Sequence, residues 1–456
     1  MNTFQIKIHR QLQRTRKLFA LLIAAVLAGM NSGPSLVAAS SPSSASSGAL
    51  QTTIYPTLIG SFQVVNNGTG DQTDPHIDCN LASYTNDDLF GSATVRYFDF
   101  ATNTDHVIPA NGQDSLADVR GTRIAFTEAS MNGDAIVVFD TTTGQRTLVP
   151  GARRTSPALG GNLVAFEDRS FLADWNQSEI SVYDLNTAIA TRLTNDVLMD
   201  SFLSVSPSGD AIVWEKSQTD GSNGDIYASI QTSPGVFSVS ALTGAAGEEQ
   251  HPDTDGQTVV YASKRGGETD IYFQPVGGGA ETQISIPGDQ RDPNISGNLI
   301  SFESQIQNAT GLEYDIFVYD INSGNLFRVT NTAIDETLSD ISVCNGVGRI
   351  VYAAPAADYD CFVFTFQLSP SAVNEVNDLI TLVRSFNLPQ GTENSLITKL
   401  QCALAAIGVS DTATACVCLT SLINEAQAQS GKKLTADQAS QLIHSATLIK
   451  ADLGCQ

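Results

Sequence analysis

A unit of roughly 42 residues repeats seven times along the chain, and this repeat constrains the fold more than any other sequence feature. The second apolar segment of each unit ends on an aromatic residue, and successive aromatics are 42, 40, 48, 47, 41 and 50 residues apart. These residues are Tyr84, Phe126, Phe166, Trp214, Tyr261, Phe302 and Tyr352. A third apolar segment with an aspartate follows each aromatic, as in DIFVYD at 315–320. The register is too regular to arise by chance.

Each unit contains apolar or alternating segments of 4–6 residues between Gly, Asn, Asp and Pro turns, which predicts a small antiparallel sheet. Such a sheet buries both of its faces only when it packs between neighbours, and a closed ring of sheets leaves only short edges. The seventh unit ends with Cys361–Leu368, one strand short, whereas 61–77 resembles the end of one unit and the start of the next. We therefore predict a mainly β, seven-bladed propeller over 52–368, with 55–66 supplying the outer strand of blade seven.

The repeat resembles a known family. The pattern D-P-x-I-x-G-x-x-I-x-F…D-I-[FY]-x-Y-D occurs as Asp292–Gly297, Phe302 and Asp315–Asp320. In this pattern the chain resembles the TolB-type, or WD40-like, propeller repeat, which implies the propeller fold. The N-terminal α/β domain of TolB has no counterpart in the sequence, so the resemblance does not extend to the Tol-system role.

The N-terminal segment has the features of a secretion signal. Residues 1–39 combine a basic start, the apolar run Leu18–Met30 and small residues at Val37 and Ala39 before a cleavage point. An uncleaved N-terminal anchor is the alternative. The Ser/Pro/Ala-rich residues 40–51 are expected to be a flexible leader. We predict a secreted, periplasmic or cell-surface protein of bacterial type, with no transmembrane segment after signal removal.

The charge balance limits the partners. The formal net charge is −24, and removal of the first 39 residues, which hold five basic and no acidic residues, takes it to −29. A chain this acidic repels nucleic acid and anionic lipid. Envelope proteins with basic surfaces, cations and neutral glycans are the expected partners.

After Pro370 the apolar period changes from that of strands to that of helices, which predicts a compact all-α unit at 369–456. Four helices are expected, the last opened by a capping box at Thr435–Gln438. The tail, from FNLPQGTENSLITKL to LIKADLGC, resembles the FIMAH domain found at the end of secreted bacterial proteins. That resemblance implies a Cys416–Cys455 disulfide. Cys402–Cys418 is a second candidate pair, and the pairing of Cys79, Cys344 and Cys361 stays open.

Aspartates concentrate on the predicted innermost strands and their turns, where a propeller has its central channel. They are Asp74, Asp78, Asp118, Asp253, Asp255, Asp292 and Asp340, of which Asp78, Asp253 and Asp255 are the candidate ligand-binding residues. Converging carboxylates would suit Ca²⁺. The alternative is that these aspartates cap turns. We assign no metal site and no cofactor, and retain Ca²⁺ as a possibility to test.

Three long loops, at 168–179, 216–225 and 304–314, fall between the second and third strands of blades three, four and six. Loops at equivalent positions open on the same face of the ring. The first loop carries Phe171 and Trp175, whose apolar rings we expect to be exposed. We therefore hypothesise a binding face at Phe171 and Trp175; drift in repeat length is the alternative explanation.

The sequence contains no HExxH zinc motif and no G-x-S-x-G nucleophile elbow. The leading interpretation is thus a non-enzymatic binding or scaffold protein that interacts with a protein or glycan, with no catalytic residues assigned. His76 and His251 lie at equivalent repeat positions and motivate one alternative, a polysaccharide lyase or hydrolase with a divalent cation. A purely structural envelope protein is the other alternative.

Overall fold

The computed structural model describes residues 55–88, 92–109, 112–131, 133–171, 177–244, 247–307, 311–356, 358–368, 372–409 and 411–455. They form two compact units that divide between Phe366 and Gln367. The first unit is a seven-bladed β-propeller and the second contains four helices. The predicted fold class is therefore confirmed. The signal at 1–39 and the leader at 40–51 lie outside the described residues.

Every blade is a four-stranded antiparallel sheet. The strands in chain order are β1 (Ser61–Asn66), β2 (Asp71–Asp78), β3 (Leu81–Asp87), β4 (Ala93–Asp99), β5 (Thr104–Val107), β6 (Gln113–Arg120), β7 (Arg123–Ala129), β8 (Ala135–Asp140), β9 (Arg146–Leu148), β10 (Arg154–Gly160), β11 (Leu163–Asp168), β12 (Glu179–Asp184), β13 (Ile189–Arg192), β14 (Met199–Val205), β15 (Ala211–Ser217), β16 (Asp225–Ser233), β17 (Val236–Ala241), β18 (Glu249–Thr254), β19 (Thr258–Ser263), β20 (Asp270–Pro275), β21 (Thr282–Ile284), β22 (Gln290–Ser296), β23 (Leu299–Gln307), β24 (Leu312–Asp320), β25 (Asn325–Arg328), β26 (Thr337–Cys344), β27 (Val347–Pro355) and β28 (Tyr359–Gln367). Blades one to six take β2–β5, β6–β9, β10–β13, β14–β17, β18–β21 and β22–β25. Blade seven has the strand order β26-β27-β28-β1.

The ring closes as the sequence predicted. The first strands of successive blades are neighbours, and β26 of blade seven is a neighbour of β2 of blade one. The N-terminal strand β1 pairs antiparallel with β28, placing Phe62 opposite Phe364 and Val64 opposite Phe362. The two ends of the propeller sequence thus meet within one sheet.

The repeated aromatics form the core between the blades. Six of the seven are fully buried and Tyr352 nearly so. Phe126 of blade two packs against Leu81 and Val95 of blade one, and Trp214 of blade four packs against Val182 of blade three. A large aromatic at this position therefore fills the space between one sheet and the preceding one, which explains why it recurs in every unit.

A second repeated feature is a buried polar residue near the start of every first strand. The seven positions are Gln72, Asp114, Arg154, Asp200, Glu249, Gln290 and Glu336. Several of them pair with the residue fourteen positions later, so Arg154 binds Asp168 and Asp200 accepts a hydrogen bond from the Trp214 indole. These contacts tie the first strand of a blade to its second.

The helical unit consists of α1 (Ala372–Ser385), α2 (Gln390–Gly408), α3 (Thr412–Gln429) and α4 (Ala436–Asp452). The capping box before α4 forms as predicted: the Gln438 amide donates to the Thr435 hydroxyl, and the Thr435 amide donates to the Gln438 side chain. Apolar residues of all four helices form one core. None of the described helices combines the length and the apolar character needed to cross a bilayer.

Two disulfides fasten this helical unit. Cys416 is joined to Cys455 and Cys402 to Cys418, the two pairs named as candidates from the sequence. Cys416–Cys455 connects the start of α3 to the residues that follow α4, and Cys402–Cys418 connects α2 to α3. For a unit of this size, such cross-links supply stability that a small core lacks.

Candidate functional site: the central channel and the loop face

The channel wall is shaped by a β-bulge in the first strand of every blade. In all seven blades the register between the first and second strands shifts at the same point. The first bulge residue has a positive φ of 48–57° although it is never glycine. The seven residues are Asp74, Leu116, Ser156, Phe202, His251, Asp292 and Leu338. Bulges of this kind bend a strand and change the direction of the side chains that follow.

The first paired residue after each bulge lies two positions further along, and these seven residues form a ring of their own. They are His76, Asp118, Ala158, Ser204, Asp253, Asn294 and Asp340. Three of the seven are aspartates, so the ring carries three of the seven channel carboxylates that the sequence pattern indicates.

The ring aspartates bind the backbone of the next blade. Asp118 Oδ2 accepts a hydrogen bond from the Leu159 amide at 2.6 Å, and Asp253 Oδ2 accepts one from Ile295 at 2.7 Å. Asp340 Oδ2 accepts one from the Ile77 amide at 2.8 Å. Each carboxylate therefore ties one inner strand to the following one. Asp340 does so across the junction between blade seven and blade one.

His76 lies among three of the channel carboxylates. Its Nδ1 is 3.6 Å from Asp340 Oδ2 and 4.0 Å from Asp118 Oδ1, and its Nε2 is 3.7 Å from Asp74 Oδ1. Burial disfavours the imidazolium, but the Asp340 and Asp74 carboxylates outweigh it and hold the pKa of His76 well above its usual value. The carboxylates around His76 therefore favour its protonated form, whose charge offsets part of the negative charge of the channel.

His251 forms a comparable group on blades four, five and six. Its Nδ1 contacts Asp292 Oδ1, and its ring lies 4.5 Å from that of Phe202. Burial opposes the charge, yet the Asp292 carboxylate raises the pKa of His251. The backbone amide of His251 also donates a hydrogen bond to the Glu215 carboxyl. Burial raises the pKa of Glu215 to about 7. The channel thus presents two histidine–carboxylate groups on rigid strands.

The other two candidate aspartates, Asp78 and Asp255, have different structural roles. Asp78 accepts hydrogen bonds from the Gly121 amide at 2.6 Å and the Arg120 guanidinium at 3.0 Å, both on the next blade. Asp255 accepts hydrogen bonds from the amides of Gln257 and Thr258 within its own hairpin. Turn chemistry therefore accounts for Asp255, and a cross-blade tie accounts for Asp78.

A disulfide between Cys79 and Cys344 lies beside Asp78, and it is the cross-link that the sequence left open. Cys79 follows β2 of blade one and Cys344 ends β26 of blade seven, so the bond joins the first and last blades at the channel side. Asp78 and the two sulfur atoms lie within 4.8 Å of one another, but sulfurs bonded to each other cannot act as thiolate ligands. Cys361 is a buried thiol in blade seven.

In the long loop of blade three Phe171 is exposed, as expected, whereas Trp175 lies outside the described residues. The Phe171 side chain is 65% exposed, and the Arg192 guanidinium lies 5.1 Å from its ring centroid. Arg192 is itself fixed, because it binds Glu179 at 2.8 Å and donates to the Thr194 carbonyl oxygen at 2.7 Å. An aromatic ring held in place by a guanidinium yet open to solvent is suited to stacking against a ligand.

A scan against protein-family models gives no match to this chain. A search among curated proteins likewise gives no match.

Solved structures share the propeller fold. The β-propeller domain of the Trilobed protease from Pyrococcus furiosus matches with a TM-score of 0.50 and 14% identity, covering 66% of this chain and 96% of that domain. An oligogalacturonate lyase in complex with manganese matches with a TM-score of 0.50 and 10% identity, covering 68% of this chain and 98% of the lyase. At these identities the likeness establishes the fold alone.

TolB propellers are also among the structural neighbours. A putative TolB from Agrobacterium tumefaciens matches with a TM-score of 0.36 and 14% identity, covering 50% of this chain and 81% of that protein. The chain spans about half (52%) of the length of the Pyrococcus horikoshii acylaminoacyl peptidase that it also matches. The neighbours therefore include enzymes as well as TolB.

Proposed function

We propose that this chain is a secreted binding protein that holds a neutral glycan or a basic protein surface on the loop face of blade three. The observation that supports the proposal is the exposed ring of Phe171, which the Arg192 guanidinium contacts. Glu179 and the Thr194 carbonyl oxygen hold the guanidinium beside the ring, and this contact lowers the conformational entropy that the ring would lose on binding. The strongly acidic chain favours neutral or basic partners.

The proposal places the protein outside the cytoplasm. Its support is the apolar N-terminal run and the three disulfides, since disulfides persist in oxidising compartments. On this proposal 1–39 is removed on export, and the FIMAH-like helical unit serves as a second docking element.

The test is a paired substitution on the full chain. Phe171→Ser should lower retention on an array of neutral polysaccharides and immobilised basic proteins by at least about tenfold. The matched control is Phe62→Ser, which removes another exposed aromatic from the outer strand of blade seven. Equal binding by Phe171→Ser and the unaltered chain would remove the blade-three face from consideration.

A lyase that uses a divalent cation is the second candidate, favoured by the histidine–carboxylate group at His76. Its test is polygalacturonate incubated with the chain and Mn²⁺, in the presence and absence of EDTA. Shortened, unsaturated products that disappear with EDTA and with His76→Ala would establish it. The net charge of the chain argues against an anionic substrate, so we expect the polymer to be unchanged.

A further inference from the structure

A cavity of about 310 Å³ lies between blades one and two. Its wall includes Tyr97, Asp99, Thr102, Thr104 and His106 of blade one, with Thr141 and Thr142 of blade two. All seven residues lie on the third and fourth strands of their blades or in the turn between them, whereas Phe171 follows the second strand of blade three. In an antiparallel sheet these two connections lie at opposite ends of the third strand. The blade-one cavity is therefore separate from the blade-three face.

A chain of hydrogen bonds with one direction runs along the wall of the blade-one cavity. Asp99 Oδ2 accepts from the Thr102 hydroxyl at 3.0 Å, and the Thr102 and Thr104 hydroxyl oxygens are 2.6 Å apart. Thr104 Oγ1 in turn lies 2.8 Å from His106 Nε2. A carboxylate only accepts and each hydroxyl donates one hydrogen, so Thr104 donates to Thr102 and His106 Nε2–H donates to Thr104. Each threonine oxygen keeps a lone pair for a further donor, and the wall is therefore rich in acceptors.

Two stacked aromatic rings form the adjoining part of the wall. Tyr97 and His106 are cross-strand partners on β4 and β5, and their ring centroids are 4.7 Å apart with the planes inclined by 17°. Tyr97 packs against the core between blades one and two, and the hydrogen bond to Thr104 holds His106. Both side chains are half-buried. Because the rings are already held in place, they lose little conformational entropy when a ligand contacts them.

The other blades show which of these features the fold itself requires. Asp140 and Asp184 accept a hydrogen bond from a turn amide in blades two and three, as Asp99 does in blade one. The stacked rings, in contrast, do not recur at the equivalent position of blades two, three and six, where the cross-strand pairs are Val138–Thr147, Val182–Thr191 and Val318–Phe327. Turn formation thus accounts for the aspartate but not for Tyr97 and His106.

We propose that the blade-one cavity binds one sugar unit of a neutral polysaccharide. The sugar hydroxyls donate to the free lone pairs of Thr102 and Thr104, and an apolar face of the sugar lies against the stacked rings. The cavity volume is at the lower end of the range of about 300–1,000 Å³ for small-ligand sites, which suits a single unit. This site goes beyond the blade-three face and does not depend on it.

Charge decides between a neutral sugar and the two charged alternatives. The Asp99 carboxylate and the net charge of −24 disfavour an acidic sugar. A cationic ligand is disfavoured because both Asp99 oxygens already accept hydrogen bonds, Oδ1 from the Ala101 amide at 2.8 Å and Oδ2 from Thr102. A neutral ligand that donates hydroxyl hydrogens fits the remaining acceptors.

The test is saturation-transfer difference NMR on the full chain carrying Phe171→Ser, so that the blade-three face does not contribute. The probes are cellohexaose, maltohexaose and mannohexaose, with oligogalacturonate and oligolysine as charged probes. A neutral probe should bind with a dissociation constant on the order of 1 mM or lower. In this background His106→Ala removes one of the stacked rings, and Thr104→Val removes an acceptor with little change in shape. Each should weaken binding at least about tenfold.

Thr147→Ala is the matched control, because Thr147 occupies the position of His106 on the outer strand of blade two. It should bind as the Phe171→Ser chain does, and equal thermal unfolding midpoints would show that every variant is folded. Loss of binding in both cavity variants and its retention in the control would establish the site. Binding that survives both cavity variants, or binding of oligolysine alone, would overturn the proposal. So would a Phe171→Ser chain that binds no neutral probe, a result that leaves the blade-three face as the only glycan site proposed.

Discussion

The junction between blades seven and one is built differently from the junction between blades three and four. At the first, Cys79 is bonded to Cys344, the Cys79 amide donates to the Ser342 hydroxyl, and β1 completes the last sheet. At the second, Gly160 packs directly against the backbone of the next blade, and the Gly161 amide donates to the Pro207 carbonyl oxygen. Where the chain runs on from blade to blade, close packing suffices. Where its two ends meet, covalent and strand-pairing contacts replace the missing connection.

We expect the largest change in stability when the disulfide at the closing junction is removed. Cys79→Ser with Cys344→Ser should lower the free energy of unfolding of the propeller by about 2 to 5 kcal/mol, because the bond spans a very long loop. The measurement is thermal and denaturant unfolding followed by tryptophan fluorescence, since Trp214 is buried in the propeller.

The matched control for that variant is Cys402→Ser with Cys418→Ser, whose bond spans 16 residues within the helical unit. It should leave the propeller transition in place. An unchanged transition in the Cys79/Cys344 variant would mean that strand pairing alone closes the ring.

The packed junction is tested next. A Cβ added at Gly160 would overlap the carbonyl oxygen of Ser206 and the side chain of Val205. Gly160→Ala should therefore cost about 1 to 3 kcal/mol of unfolding free energy. Gly277→Ala is the control, because no atom lies within 4 Å of its added Cβ. Equal stability of the two variants would show that blades three and four separate without penalty.

A third prediction concerns pH. Burial, with help from the Asp292 carboxylate, raises the pKa of Glu303 to about 8. A raised pKa means that the folded chain holds a proton that the unfolded chain releases, so the stability is present at pH 4–5 and is lost as pH rises toward 8. Glu303→Gln should flatten that fall by about 1 to 2 kcal/mol. Chemical denaturation at several pH values measures it.

Glu281→Gln is the control for the pH series. The Arg265 guanidinium holds the pKa of Glu281 below its usual value, so its contribution is lost only as pH falls into the acidic range. The slope between pH 5 and 8 should be unaffected by this change. A slope that stays the same in Glu303→Gln would assign the neutral-pH dependence to other groups, such as Glu215.

The smallest effect belongs to His76, which faces Asp340 across the closing junction. Because the pKa of His76 is raised in the folded chain, protonation of His76 stabilises the fold. This stabilisation is complete when the pH is below the pKa of the unfolded chain, and it is lost as the pH rises through the pKa of the folded chain. Because the side chain is partly open to solvent, His76→Gln should cost only about 0.5 to 1 kcal/mol at pH 6 and less at higher pH. His444→Gln, an exposed histidine of the helical unit, should leave the propeller unchanged.

The ring, the closing strand β1 and the four helices could be predicted because apolar periodicity records which faces are buried. The closed ring also offers an argument for the Cys79–Cys344 bond. Cys79 and Cys344 lie at the ends of the first strands in blades one and seven, and a closed ring makes those blades neighbours. The sequence alone leaves this pairing open, because the two cysteines are 265 residues apart and become neighbours only in the assembled ring.

The site was less accessible to sequence reasoning. Asp253 and Asp255 look alike in the sequence, but a two-residue step places one in the ring of cross-blade ties and the other in a hairpin turn. The left-handed bulges carry residues as different as Leu116 and Phe202, so no residue type marks them. The contact between Phe171 and the Arg192 guanidinium could not be predicted either, because it depends on the positions of two side chains on different elements.

The most direct test of the sealed propeller is peptide mapping, without reduction, of the full chain expressed in a bacterial host. We predict an N-terminus near residue 40, the bonds Cys79–Cys344, Cys402–Cys418 and Cys416–Cys455, and a Cys361 that is alkylated only after unfolding. Free thiols at Cys79 and Cys344 in the folded protein would contradict this result, because the first and last blades would then lack the bond that seals the ring.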